Sequence, residues 1–110
     1  MNLLELCTLA SGSSGNCTLV TDGHTHILID AGISARRICR SLRDLGLEPP
    51  ELSGVLITHE HTDHICGLAT LTKQLRLPVY ALLTAAFFPR YGGVVVFSLY
   101  LLGLIFPIVS

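Results

Sequence analysis

Val55-Leu56-Ile57 is a run of three large apolar residues with no polar alternation, and such a run forms a stable strand only where both of its faces are covered. The run is therefore compatible with a short strand buried on both faces. The run leads through Thr58 straight into HEHTDHICG, so three histidines, an aspartate and a glutamate fall within the eleven residues from Ile57 to Gly67. A buried strand that ends in a cluster of metal-ligand side chains is the strongest constraint this chain carries.

The segments before it supply a sheet for that strand to join. Leu3 to Leu9 reads as a first strand, broken by SGSSGN at Ser11 to Asn16, a loop rich in hydroxyls and exposed amides. CTLVT follows as a second strand, with Asp22-Gly23 as the turn of a hairpin, and Thr25 to Ile29 forms a third that delivers Asp30 to its carboxyl end. Ser34 is placed to cap a helix in which Ile38, Leu42 and Leu45 share a face, while Arg36, Arg37, Arg40 and Arg43 take other directions and Gly46 supplies the stop. Those arginines read first as the wet face of a helix on a sheet, and second as contacts for a phosphate backbone. Pro49-Pro50 is expected to be an extended connector, and a helix is expected from Asp63 to Arg76.

The spacing in the cluster has chemical content. In extended backbone His59 and His61 project to the same side, so two imidazoles converge on one cation, while Asp63 and His64 open the next element and face a second position nearby. Two divalent ions so held polarise an acyl or phosphoryl group and generate hydroxide from water near neutral pH, and Asp63 is also placed to orient that water. Asp30 is expected to support the site through a hydrogen bond to a ligand histidine or to loop amides. Glu60 is expected to point away. His24 and His26 lack an acidic partner, and Cys66 reads as a buried small side chain or inert thiol.

His59-Glu60-His61-Thr62-Asp63-His64, preceded by VLIT and followed by Gly67, resembles the signature of the metallo-beta-lactamase fold. Within that superfamily LASGSSGNC, LIDAG and LPVY look like a group of cytoplasmic hydrolases related to a bacterial exonuclease-like protein associated with cell-wall regulation. The resemblance covers about residues 3 to 80. It implies an αββα sandwich with two mixed sheets between helices, a first zinc or manganese ion on His59 and His61, and a second on Asp63 and His64. It also implies that Asp30 supports the site without direct ligation, and that the chemistry is phosphodiester hydrolysis, with DNA as the partner.

The rest of the chain departs from that pattern. All five histidines and all eight acidic residues occur by position 64, and the only charge after Arg76 is Arg90. The later histidines and the bridging carboxylate of the family pattern are absent, so the expectation is residues 1–80 as a partial domain of weak or no activity, followed by an atypical apolar segment, 81–110. Three readings of that segment stand: a disrupted copy of a longer gene, a membrane anchor, or a pair of core strands; its exposure would favour self-association. A non-catalytic metal-binding or membrane-associated fragment, and a thioester or lactam hydrolase, are the competing functions. A net charge of -1 gives no whole-chain attraction for polyanions. Four scattered cysteines without a CxxC pair, and a start without a basic region, fit reduced thiols in a cytoplasmic protein. Asn16-Cys17-Thr18 is a glycosylation sequon on paper, inert without export.

Overall fold

The computed structural model describes residues 4–59, 61–81 and 95–96. Strands β1 (Glu5–Ala10), β2 (Cys17–Thr21), β3 (His26–Ile29), β4 (Gly54–Ile57), β5 (Val79–Ala81) and β6 (Val95–Val96) form one sheet whose spatial order repeats the chain order. The pairings β1/β2 and β2/β3 are antiparallel, and the three that follow are parallel. Helix α1 (Ala35–Asp44) lies in the connection from β3 to β4; α2 (Thr62–Ile65) and α3 (Leu68–Leu75) lie in that from β4 to β5.

β4 is buried along its whole length, as its lack of alternation requires. Val55 and Ile57 face the main core with Leu19, Leu28 and Val79, and the buried sides of α1 and α3 close it through Ile38, Leu42, Leu68 and Leu71. Leu56 faces the other way, into a smaller cluster with Val20 and Ile27 against which Ile29 and Tyr80 pack. Both helices therefore cover one face of the sheet. The described part is a mixed α/β arrangement, one sheet and one helix layer of an αββα sandwich; among the described residues there is one sheet, not two. Full burial of side chains such as Ile38 and Leu42 contributes about 1.5–3 kcal/mol each.

Helix α1 starts and stops where its sequence dictates. Ser34 Oγ accepts from the Arg37 amide at 3.2 Å. At the other end Gly46, at φ +86°, lets its amide reach Arg43 O at 2.9 Å and the Leu47 amide reach Leu42 O at 2.9 Å, the paired bonds of a Schellman stop. Leu45 is the correction here: as the cap residue it has left the helical face and is 47% exposed. Pro49-Pro50 is not extended either. Residues Pro49–Glu51 form a 3-10 turn, since prolines at the first positions of a helical turn lack only amides that would be unpaired there, and the Glu51 side chain accepts from the Glu48 amide at 2.7 Å.

The hairpin after β2 is closed by Asp22, whose Oδ1 accepts from the amides of Thr25 at 2.7 Å and His24 at 2.9 Å. Those bonds, Thr25 first, hold its carboxyl below the usual range. No helix among the described residues is long and apolar enough to cross a membrane. The anchor and self-association readings of segment 81–110 fall mostly outside those residues, where Val95–Val96 is the described strand.

Candidate metal centre

The parallel pairing of β3 with β4 sets Ile29 beside Leu56 and so brings the carboxyl ends of both strands together. Asp30, the next residue of β3, donates its amide to Leu56 O at 2.7 Å and turns into the left-handed region at φ 63°. An aspartate adopts that conformation more readily than most residues, and here it aims a buried carboxylate at the first residues after β4.

Every bond that carboxylate makes lands on the histidine segment. Oδ1 accepts from the Thr58 amide at 2.8 Å; Oδ2 accepts from the Thr58 hydroxyl at 2.7 Å and lies 2.7 Å from His64 Nδ1. A carboxylate accepts, so His64 Nδ1 carries a hydrogen and, in the neutral ring, Nε2 keeps its lone pair. Thr58 has a single hydroxyl hydrogen, already given to Asp30, so it can only accept from His59 Nδ1 at 2.9 Å. One buried carboxylate thereby fixes the tautomer of two histidines, directly for His64 and through Thr58 for His59, and leaves both Nε2 atoms as donors to an electrophile.

The helix expected from Asp63 to Arg76 is broken at Cys66-Gly67. Continuing it would require the Asp63 and His64 carbonyls to accept from residues four further on. Instead Asp63 O accepts from the Asn16 amide at 2.7 Å and His64 O from the Ala31 amide at 2.8 Å, while the Gly67 amide turns to Ala31 O at 2.8 Å. Three backbone segments cross here at distances only glycine permits. A Cβ on Gly32 would lie 1.8 Å from Asp63 O, and one on Gly67 would lie 2.0 Å from Ile33 O.

The sequence-predicted residues fall as follows. His59 and His64 lie with ring centroids 4.6 Å apart and planes tilted by 45°, whereas His59 and His61 are 6.2 Å apart. Asp63 Oδ2 is 3.5 Å from His64 Nε2. His59 and His61 are exposed, Asp63 and His64 half-buried, and Glu60 lies outside the described residues. Ligand atoms of Asp30, His59 and His64 lie within 4.8 Å of one another, a nitrogen and oxygen donor set that suits a divalent cation. His26 is buried away from them against the Thr21 hydroxyl at 2.6 Å. Cys66 is exposed rather than buried, although its thiol donates to Gly32 O at 2.9 Å. No disulfide joins the four cysteines. Thr58 and Asn16 were missed by sequence reasoning; their signal was position alone, one residue before the first histidine and at the end of the SGSSGN loop.

The family model of the metallo-beta-lactamase superfamily matches residues 10–109. The chain belongs to the metallo-beta-lactamase superfamily. Among curated relatives, it is 42% identical over 78 residues to the exodeoxyribonuclease YycJ of Bacillus anthracis, covering 71% of this chain and 30% of that protein. It is 41% identical over 73 residues to the exodeoxyribonuclease WalJ of Streptococcus pneumoniae, covering 66% of this chain and 27% of that protein. Of solved metallo-beta-lactamases, MIM-1 from Novosphingobium pentaromativorans superposes with a TM-score of 0.54 at 33% identity, over 59% of this chain and 24% of that one. The chain thus spans less than a third of the length of these curated relatives.

Proposed function

We propose that this chain carries the metal-binding segment of a phosphodiesterase acting on DNA, with His59 and His61 at a first ion position, Asp63 and His64 at a second, and Asp30 supporting both without ligating. The observation that carries the reading is the Asp30-Thr58 network, which leaves His59 Nε2 and His64 Nε2 free as ligand atoms, the latter 3.5 Å from Asp63 Oδ2. Asp30 falls within the same cluster of possible ligands, but both of its oxygens already accept hydrogen bonds, and those bonds orient the histidines. A divalent ion at such a site supplies a Lewis acid for the phosphoryl oxygen and makes water a nucleophile at neutral pH.

The exodeoxyribonuclease relatives support DNA as substrate. The exposed Arg36, Arg37 and Arg40 of α1 add a cationic strip for phosphates. With four donors for two ions, and no histidine or carboxylate after position 64, the 110-residue chain by itself binds metal weakly and turns over slowly or not at all. The division into a partial domain, 1–80, and an apolar segment, 81–110, goes with this reading. The likeness to MIM-1 favours a second reading, lactam hydrolysis, over a shorter match at lower identity.

The test is product analysis with the purified chain and added Mn2+ or Zn2+, offering linear DNA, RNA, a lactam and a thioester. Slow DNA cleavage, lost in His59→Ala and Asp63→Ala, is the expected trace. Faster turnover of the lactam or thioester sinks the phosphodiester assignment. Robust multiple turnover of DNA by the isolated monomer sinks the view that its donor set is insufficient.

A further inference from the structure

Asn16 ends the SGSSGN loop, and no step of the hydrolytic reading uses it. Its side chain is nevertheless fully committed. Oδ1 accepts from the Gly12 amide at 3.1 Å; Nδ2 gives one hydrogen to Gly12 O at 2.9 Å and shares the other between Asp63 O at 3.1 Å and Asp63 Oδ2 at 3.2 Å. The Asn16 backbone holds the same place, its amide donating to Asp63 O at 2.7 Å and its carbonyl accepting from the Gly32 amide at 2.8 Å.

We infer that Asn16 is a positioning residue for Asp63, fixing the rotation of that carboxylate beside the His64 Nε2 atom with which it would share an ion. The inference rests on the metal reading above. A carboxyl group on a short helix has a broad torsion, and one donor on one oxygen is enough to select an orientation. The donor on Oδ2 leaves Oδ1 without a partner among the described residues. Only an amide meets the whole demand. The group must accept from Gly12 while donating both to Gly12 and to Asp63; aspartate has no donor to give, and a serine hydroxyl has only one. Gly12, at φ +108°, and Gly15, at φ +148°, shape the loop that carries the amide to this point. Outer partners of metal ligands act in this way, and their removal lowers affinity about 10–100-fold.

The experiment is titration of the full chain with Co2+, followed by its visible absorption, for wild type, Asn16→Asp, Asp63→Ala and the double variant, with a thermal melt of each. Asn16→Asp keeps the side-chain shape and the bond from Gly12 but removes the donor and faces one carboxylate with another. We expect about 10-fold weaker Co2+ binding in Asn16→Asp, and no further loss when Asn16→Asp is added to Asp63→Ala, although the melting temperature still falls in both backgrounds. Asn16→Ala, which brings no second carboxylate, serves in the same cycle if Asn16→Asp does not fold. An equal loss of affinity in both backgrounds assigns Asn16 to the loop alone and overturns the inference. So does unchanged affinity in a chain whose binding depends on Asp63. A wild type that binds no Co2+, or binds it regardless of Asp63, overturns the metal reading and this inference together.

Discussion

Asp30 Oδ2 and His64 Nδ1 are 2.7 Å apart, joining the end of β3 to the start of α2 across 34 positions of sequence. The same oxygen receives the Thr58 hydroxyl, so the hydrogen on one imidazole is coupled to the hydrogen on another.

That coupling has a spectroscopic signature without any metal. In nitrogen-15 NMR of the metal-free chain, the neutral rings of both His59 and His64 should carry their hydrogen on Nδ1. Thr58→Val removes the link to His59 alone, so His59 should move toward the Nε2-H form while His64 stays as it was. A His59 tautomer that ignores Thr58→Val would show that the hydroxyl does not set it.

Gly32 and Gly23 offer a matched contrast. A methyl on Gly32 meets the Asp63 carbonyl, whereas one on Gly23, at φ +93°, meets nothing within 4 Å. Denaturant unfolding should give a loss of about 3 kcal/mol for Gly32→Ala, at the upper end of overpacking costs, and about 1 kcal/mol for Gly23→Ala from backbone conformation. Equal losses would mean that the crossing relaxes freely.

Cys17 gives a pH dependence with a defined sign. Burial first, and the Asp30 charge second, push its thiol from 9.0 up to about 12. Above pH 9 the unfolded chain releases that proton while the folded chain keeps it, so the unfolded state binds fewer protons and stability falls as pH rises toward 12. Cys17→Ala should flatten this part of the stability profile, and in the native protein Cys66 should react with iodoacetamide well before Cys17. An alkaline slope unchanged in Cys17→Ala would exclude this thiol as its source.

Leu42 and Leu45 lie three residues apart on what reads as one helical face, yet Leu42 is fully buried and Leu45 is half-exposed. Leu42→Ala should cost about 2–5 kcal/mol by removing a core side chain, and Leu45→Ala no more than about 0.5 kcal/mol in a chemical melt. A comparable loss for Leu45→Ala would place that residue inside the core after all.

What could be read in the sequence was the part set by short-range periodicity. The non-alternating Val55-Leu56-Ile57, the Asp22-Gly23 hairpin, the Ser34 cap and the Gly46 stop each follow from local rules, and each stands in the structure. What escaped depends on bonds between distant segments. The break at Gly67 exists because Asn16 and Ala31 take carbonyls that a helix would use, and no local pattern announces that competition. Asn16 was legible only as a loop residue and a sequon because its partner is 47 residues away. Pro49-Pro50 misled because two prolines suit an extended chain and a helical first turn alike.

The sheet's spatial order has a bearing on synthesis. Because each strand lies beside the one made just before it, an emerging chain always finds its docking edge already formed and never has to wedge a late strand between two earlier ones. Every bonding partner of Asp30, from Leu56 to His64, is made after it, so its carboxylate is satisfied only once β4 and the histidine segment have followed.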